Sequence, residues 1–71
     1  MMEETEHSYK IIEIVGSSHN SVQEAIDNGL KRAAETVRHI RWFEVTQVRG
    51  HVQDGRVQHY QASMKIGFTL E

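Results

Sequence analysis

The dipeptide Asp54-Gly55 constrains the fold of this 71-residue chain more than any other feature of its sequence. An Asp-Gly pair between two alternating apolar runs is typical of a two-residue hairpin turn, because both turn positions need a left-handed backbone. The turn joins a predicted strand at about residues 42–52 to another at about residues 56–70. Counted outward from the turn, the expected cross-strand pairs are Val52–Val57, Val48–Gln61, Thr46–Ser63, Val45–Met64, Glu44–Lys65, Phe43–Ile66 and Trp42–Gly67.

This register gives the hairpin two different faces, because successive side chains of a strand point to opposite sides. The apolar face is expected to pack on a helix and carries Phe43, Val45, Tyr60, Ala62, Met64, Ile66, Phe68 and Leu70. The other face is mixed in character and carries Trp42, Glu44, Thr46, Val48, Val57, His59, Gln61, Ser63, Lys65, Gly67 and Thr69. In this straight register Arg49 falls on the helix side; a bend or bulge of the second strand near Gly50 would change its position, and otherwise it would act from the sheet edge. We call the mixed face the open face, since one helix cannot cover it.

The preceding half of the chain predicts a strand and a helix. Residues 9–15 are rich in β-branched side chains and indicate the first strand, followed by a turn at residues 16–20. Ser21 and Glu24 have the spacing of a capping box, which marks the start of a helix. Gly29, on the edge of the apolar stripe of this helix, indicates close packing of helix on sheet. The stripe is formed by Val22, Ala25, Ile26, Leu30, Ala33, Val37 and Ile40.

These elements predict an α+β fold with the order β-α-β-β. An all-antiparallel sheet places the third strand in the middle, which gives the strand order 1-3-2 with the helix packed on one face. Residues 9–71 are expected to form this single domain, and residues 1–8 a disordered N-terminal lead. A domain of this size buries only about 60% of its surface, and the chain has no cysteine for disulfides. We therefore expect a homo-oligomer in which a second copy covers the open face.

Composition excludes several classes of function. The formal net charge is -2 with both signs interspersed, which gives no electrostatic basis for binding nucleic acid. No apolar run approaches the roughly 20 residues of a membrane span, so we expect a cytoplasmic protein.

His51 and His59 are expected on opposite faces, so the sequence predicts no metal site. No nucleophile with a base is visible, and Glu44 opposite Lys65 is better explained as an ion pair than as an acid and base, so an enzyme is not predicted.

Two side chains on the open face are candidates for ligand binding. The indole of Trp42 offers an electron-rich surface on which a planar ring can stack, and Gly67 opposite it is expected to leave room for a cavity. The amide of Gln61 can pair with an amide or imide edge. Six residues separate Gln61 from Gly67, about 20 Å along a strand, so one small ligand touching both would need two subunits. The alternative is that Trp42 only anchors a subunit interface.

Several segments, taken together, resemble the dodecins, a family of small flavin-binding proteins. The resemblance covers nearly the whole chain from Tyr9, in order and at matching spacing. The segments that carry it are residues 9–16, Arg41-Trp42-Phe43-Glu44-Val45, Val48-Arg49-Gly50-His51, His59-Tyr60-Gln61 and Lys65-Ile66-Gly67-Phe68.

The resemblance implies a hollow homo-dodecamer in which flavin rings are sandwiched between tryptophans of different subunits. Trp42 matches the stacking tryptophan, Gln61 the glutamine that bonds the ring edge, and Arg49 an arginine implicated in FMN binding. The implied role is flavin storage or sequestration with photoprotective quenching, and FMN ranks ahead of riboflavin and FAD. Coenzyme A, which some bacterial members bind, is a weaker expectation. Thr69 stands where many bacterial members have arginine, which leaves more of the phosphate role to Arg49.

Three hypotheses remain open on the sequence alone. The first is the flavin-sequestering dodecamer. The second is an oligomeric structural or interaction module without a cofactor, in which Trp42 holds subunits together. The third is a flavoenzyme, for which the sequence supplies no acid or base beside the ring.

Overall fold

The computed structural model describes residues 8–70 and shows the β-α-β-β order predicted from the sequence. The elements are β1 (Tyr9–Ser18), α1 (Val22–Ala33), β2 (Ile40–Gln53) and β3 (Arg56–Thr69). The sheet is antiparallel with the order β1-β3-β2, as expected. Apart from Ser8, the predicted N-terminal lead of residues 1–8 lies outside the described residues. Within the described part of the chain, no helix is long and apolar enough to cross a membrane.

The Asp54-Gly55 turn is present, and both of its residues have a left-handed backbone, with φ of 55° and 74°. The register is correct at both ends of the hairpin, where Val52 pairs with Val57 and Trp42 with Gly67. It is wrong in the middle, because one irregularity follows His51 and a second lies between Val45 and Gln47. Between them the pairing shifts by one residue, and the second irregularity cancels the first. The observed central pairs are His51–His59, Gly50–Tyr60, Arg49–Gln61, Val48–Ala62 and Gln47–Ser63.

Strand β1 continues beyond its predicted end. Gly16, Ser17 and Ser18 were expected in a turn, but they pair with β3 and extend the ladder. A Cβ at Gly16 would overlap the carbonyl oxygen of Ala25 and lie 3.0 Å from the amide nitrogen of Gly29. Gly16 therefore serves close packing of the helix against a strand, rather than a turn. The same contact confirms the packing role predicted for Gly29, whose own Cβ would lie 3.2 Å from the Cα of Gly16.

Helix α1 begins as predicted and ends earlier than predicted. The hydroxyl of Ser21 accepts a hydrogen bond of 3.0 Å from the Glu24 amide, whereas the Glu24 carboxylate accepts from the Asn20 side chain. The last helical residue is Ala33, so the expected extension through Val37 to Ile40 is wrong. The amide of Val37 still bonds to the Ala33 carbonyl, after which the chain leaves the helix. β-Branched residues at 36 and 37 weaken the helix there.

The core lies between α1 and the two strands β1 and β3. Its fully buried side chains are Ala25, Ala62, Met64 and Ile66. Phe43 was expected to hold the helix onto the sheet, but it is 46% exposed, because the short helix lies over β1 and β3 and leaves β2 uncovered. Val48, which pairs with buried Ala62, is exposed for the same reason. The molecule is elongated, measuring 58 × 21 × 15 Å, with the hairpin extending beyond the core.

Candidate functional site

The open face of the sheet is organised as rows of side chains that cross it from β1 through β3 to β2. Directly paired residues of an antiparallel ladder point to the same side, and successive rows are two residues apart, about 6.6 Å. Rows that include all three strands are Ile11–Gly67–Trp42, Glu13–Lys65–Glu44, Val15–Ser63–Gln47 and Ser17–Gln61–Arg49. Trp42 and Gln61 therefore stand at opposite ends of this part of the face.

The indole of Trp42 lies directly on the backbone of Gly67. A Cβ at Gly67 would overlap the six-membered ring of Trp42 and lie 2.6 Å from its Nε1 atom. The cavity expected beside Gly67 is therefore absent, because the indole itself fills that space. Trp42 remains 37% exposed, so its indole contacts the sheet at Gly67 and stays accessible from outside. This contact restricts the position of the indole on the open face.

Gln61 and Arg49 form the second part of the site, and this contact depends on the irregular register of β2. The straight-register placement of Arg49 on the helix side was wrong, and the alternative of an irregular strand near Gly50 is confirmed, because register shifts on both sides of residues 47–51 turn Arg49 toward the open face. There its Nε atom donates a hydrogen bond of 3.2 Å to Oε1 of Gln61. An amide whose oxygen is held by a guanidinium presents its N–H groups to a further acceptor. The pair can therefore donate to a carbonyl and also carries a permanent positive charge.

The two parts of the site lie too far apart for one small ligand on a single chain. Trp42 lies three row spacings from Arg49 and Gln61, which is about 20 Å at roughly 3.3 Å per residue. A row of charged side chains, Glu13–Lys65–Glu44, crosses the sheet between them. A ligand that uses both the indole and the amide must therefore lie between two copies of the chain.

Thr69, the residue that departs from the bacterial pattern, is withdrawn from the open surface. It is 8% exposed, it pairs with Tyr9 across the ladder, and its amide lies 3.3 Å from the carbonyl oxygen of His39. Its short side chain carries no charge. Within the described residues, Arg49 is therefore the permanent cation closest to Gln61 in the ladder.

The expectation that His51 and His59 lie on opposite faces is wrong. They are directly paired, and their rings stack with centroids 5.6 Å apart. The signal that sequence reasoning lacked is the irregularity next to His51, which shifts the register by one residue. Among residues 8–70, no group of three His, Asp or Glu side chains is arranged to hold a metal ion.

Comparison with known proteins gives one consistent result for the family and the fold. A family model described as Dodecin matches residues 8–71. A curated dodecin from Thermus thermophilus is 43% identical over 63 residues, which cover 89% of this chain and 91% of the relative.

Solved structures agree with the family match. The dodecin from Streptomyces coelicolor has a TM-score of 0.90 at 47% identity, over 96% of this chain and 97% of the other. The dodecin from Streptomyces davaonensis has a TM-score of 0.89 at 45% identity, over 94% of this chain and 98% of the other. The similarity therefore extends over nearly the full length of both partners in each comparison.

Proposed function

The chain belongs to the dodecin family, whose members bind flavins, and from this premise we propose that it holds a flavin between subunits with the ring stacked on Trp42. The observation that carries the proposal is the seat of Trp42 on Gly67. A ring already held against a glycine backbone loses little motion when a second ring stacks on it. The isoalloxazine is planar and electron-poor, so it suits the electron-rich indole.

Gln61 is proposed to bond the polar edge of the same flavin from another subunit. Its N–H groups, oriented by the hydrogen bond from Arg49, match the carbonyl oxygens of the pyrimidine ring. Arg49 is proposed to contact the phosphate when the flavin is FMN. The distance of about 20 Å between the two parts of the site supports assembly around the ligand, and the homo-dodecamer of the family is the proposed assembly.

The uncovered surfaces of the isolated chain support self-association. Apolar side chains are exposed on both sides of the sheet: Ile11, Val15 and Trp42 on the open face, and Phe43 and Val48 on the helix side. Clustered exposed apolar side chains on a soluble domain mark interaction surfaces. Burying these side chains between copies would stabilise a domain whose own core is small.

The proposed role is flavin storage or sequestration, with FMN ahead of riboflavin and FAD. An indole stacked on the ring also gives the excited flavin a path to return to its ground state, which protects the cell from flavin photochemistry. We propose a cytoplasmic, non-catalytic protein without nucleic-acid or membrane partners. Coenzyme A remains a secondary ligand proposal that rests on the family alone.

Native mass spectrometry of the purified protein tests this function, because it reports subunit number and ligand mass together. We expect an assembly of twelve subunits with added masses equal to whole numbers of flavin. A twelve-subunit assembly that takes up no flavin, even with FMN and riboflavin added, would favour the structural module in which Trp42 only joins subunits. A monomer at all concentrations would contradict both functions.

A further inference from the structure

Three imidazoles form a row at the far end of the open face, beyond Arg49 and Gln61. We call His19, His51 and His59 the histidine row. The rings of His51 and His59 stack at an angle of 15° between their planes, and His19 meets His59 edge-on with centroids 5.9 Å apart. His19 follows the end of β1, so the row spans the full width of the sheet.

The histidine row depends on the register shift between His51 and Val52, the second of the two shifts that flank Arg49. Gln58 has no partner in the ladder between Val57 and His59. Its carbonyl oxygen lies 3.2 Å from Nδ1 of His19, which donates to it. The unpaired backbone group thus holds the first imidazole of the row against the third strand.

The histidine row lies next to the proposed ligand contacts. His51 is two residues from Arg49 on β2, and His59 is two residues from Gln61 on β3, with no register shift between the two pairs. Each pair is therefore about 6.6 Å from the next on the same face. The imidazoles and the guanidinium face one side of the sheet, and side chains in rows about 6.6 Å apart can contact one ligand group that lies between them.

The charge around the row is set by groups on four elements. Glu24 of α1 lines a hollow together with His19 and His59, and its carboxylate accepts a hydrogen bond of 2.8 Å from Asn20. Arg49 stands on one side of the row on β2. Asp54 in the turn and Arg56 at the start of β3 stand on the other side. Protonation of these imidazoles would make this end of the face more positive.

We propose that His51 and His59, together with Arg49, form a subsite for the phosphate group of a phosphorylated flavin. This inference rests on the proposed function, since it assigns the phosphate end of the same ligand. Protonated imidazoles this close repel each other, and a phosphate between them and Arg49 removes that repulsion by accepting N–H bonds from all three. Thr69 is buried and carries no charge, so it offers no cation to a phosphate. The subsite supplies cationic donors on the open face instead.

Paired titrations of FMN and riboflavin, followed by quenching of flavin fluorescence, test the subsite at about pH 6.5 and about pH 8. The variants are His51→Gln, His59→Gln and the double variant, compared with the intact protein at each pH. His39→Asn is the matched control, because it removes an imidazole outside the row and asparagine tolerates the positive φ of 64° found there. Native mass spectrometry of each variant confirms that it assembles as the wild type does.

At about pH 6.5 we expect the double variant to bind FMN about 5-fold or more weakly while riboflavin affinity stays within about 2-fold. The loss should be smaller at the higher pH, because the proposed subsite acts through the protonated form of the rings. An equal loss for both flavins, or no loss for either, would overturn the subsite and leave the proposed function intact. Failure of the wild type to bind riboflavin and FMN would overturn the proposed function, and the subsite with it.

Discussion

The indole of Trp42 occupies the position that a side chain at residue 67 would otherwise fill. Trp42 and Gly67 are direct partners in the ladder, and the missing Cβ lets the indole lie against the sheet. A tryptophan that merely anchored an interface would need no such seat. The Trp42–Gly67 pair is thus the feature that most favours a stacking platform over a simple hydrophobic contact.

Replacing Gly67 with alanine should remove the platform. The added Cβ would overlap the Trp42 ring and force it to swing away from the sheet. We expect flavin affinity in a fluorescence-quenching titration to fall by about tenfold or more, which corresponds to about 1.4 kcal/mol. The matched control is Ser63→Ala, which changes the same face of the same strand two rows away. A Gly67→Ala protein that binds flavin within about twofold of the wild type would contradict the role given to the seat.

Replacing Gln61 with glutamate should affect the ring edge and not the phosphate. The carboxylate would still accept from Arg49, but it would offer no N–H group to a ligand carbonyl. We expect riboflavin and FMN affinities to fall together by about tenfold. Arg49→Gln should instead weaken FMN more than riboflavin, because it removes a charge from the phosphate end. If Gln61→Glu left riboflavin binding unchanged, the amide could not be the edge contact.

The arrangement of the strands was predictable from the sequence because the turn at residues 54 and 55 fixes the hairpin and direction fixes the strand order. The surroundings of Arg49 could not be predicted in the same way. Two irregularities that cancel each other leave Trp42–Gly67 correctly paired while they turn every residue from 47 to 51 to the other face. No local residue pattern marked either position, so Arg49 was placed wrongly and the His51–His59 pair was missed.

The predictions of where the helix ends and of how much of the sheet it covers failed for a related reason. The apolar spacing of Val37 and Ile40 continues that of the helix, although Ile40 already begins β2. Ile40 fits the apolar spacing because it packs against the same core as the helix, and a residue in a strand can make that contact as well. Phe43 was taken as a core residue because alternation cannot tell whether a twelve-residue helix is wide enough to cover the edge strand.

Replacing Gly16 with alanine should destabilise the fold without touching the open-face site. Its Cβ would overlap the Ala25 carbonyl, and the contact atoms are helix backbone that cannot move aside. We expect a loss of about 2 kcal/mol or more in the free energy of unfolding, measured by denaturant titration at fixed subunit concentration. Gly55→Asn is the control, since open space surrounds that position and asparagine tolerates its positive φ. A Gly16→Ala protein as stable as the control would show that helix and strand are less closely packed than described.

The central claim, that a flavin stacks on Trp42, is tested most directly by flavin fluorescence with Trp42→Phe and Trp42→Leu variants. Phenylalanine keeps a flat ring, whereas leucine keeps only apolar volume. We predict strong quenching by the wild type, weaker binding and quenching by Trp42→Phe, and neither with Trp42→Leu, in assemblies whose subunit number is unchanged. Quenching by Trp42→Leu equal to that of the wild type would contradict the account.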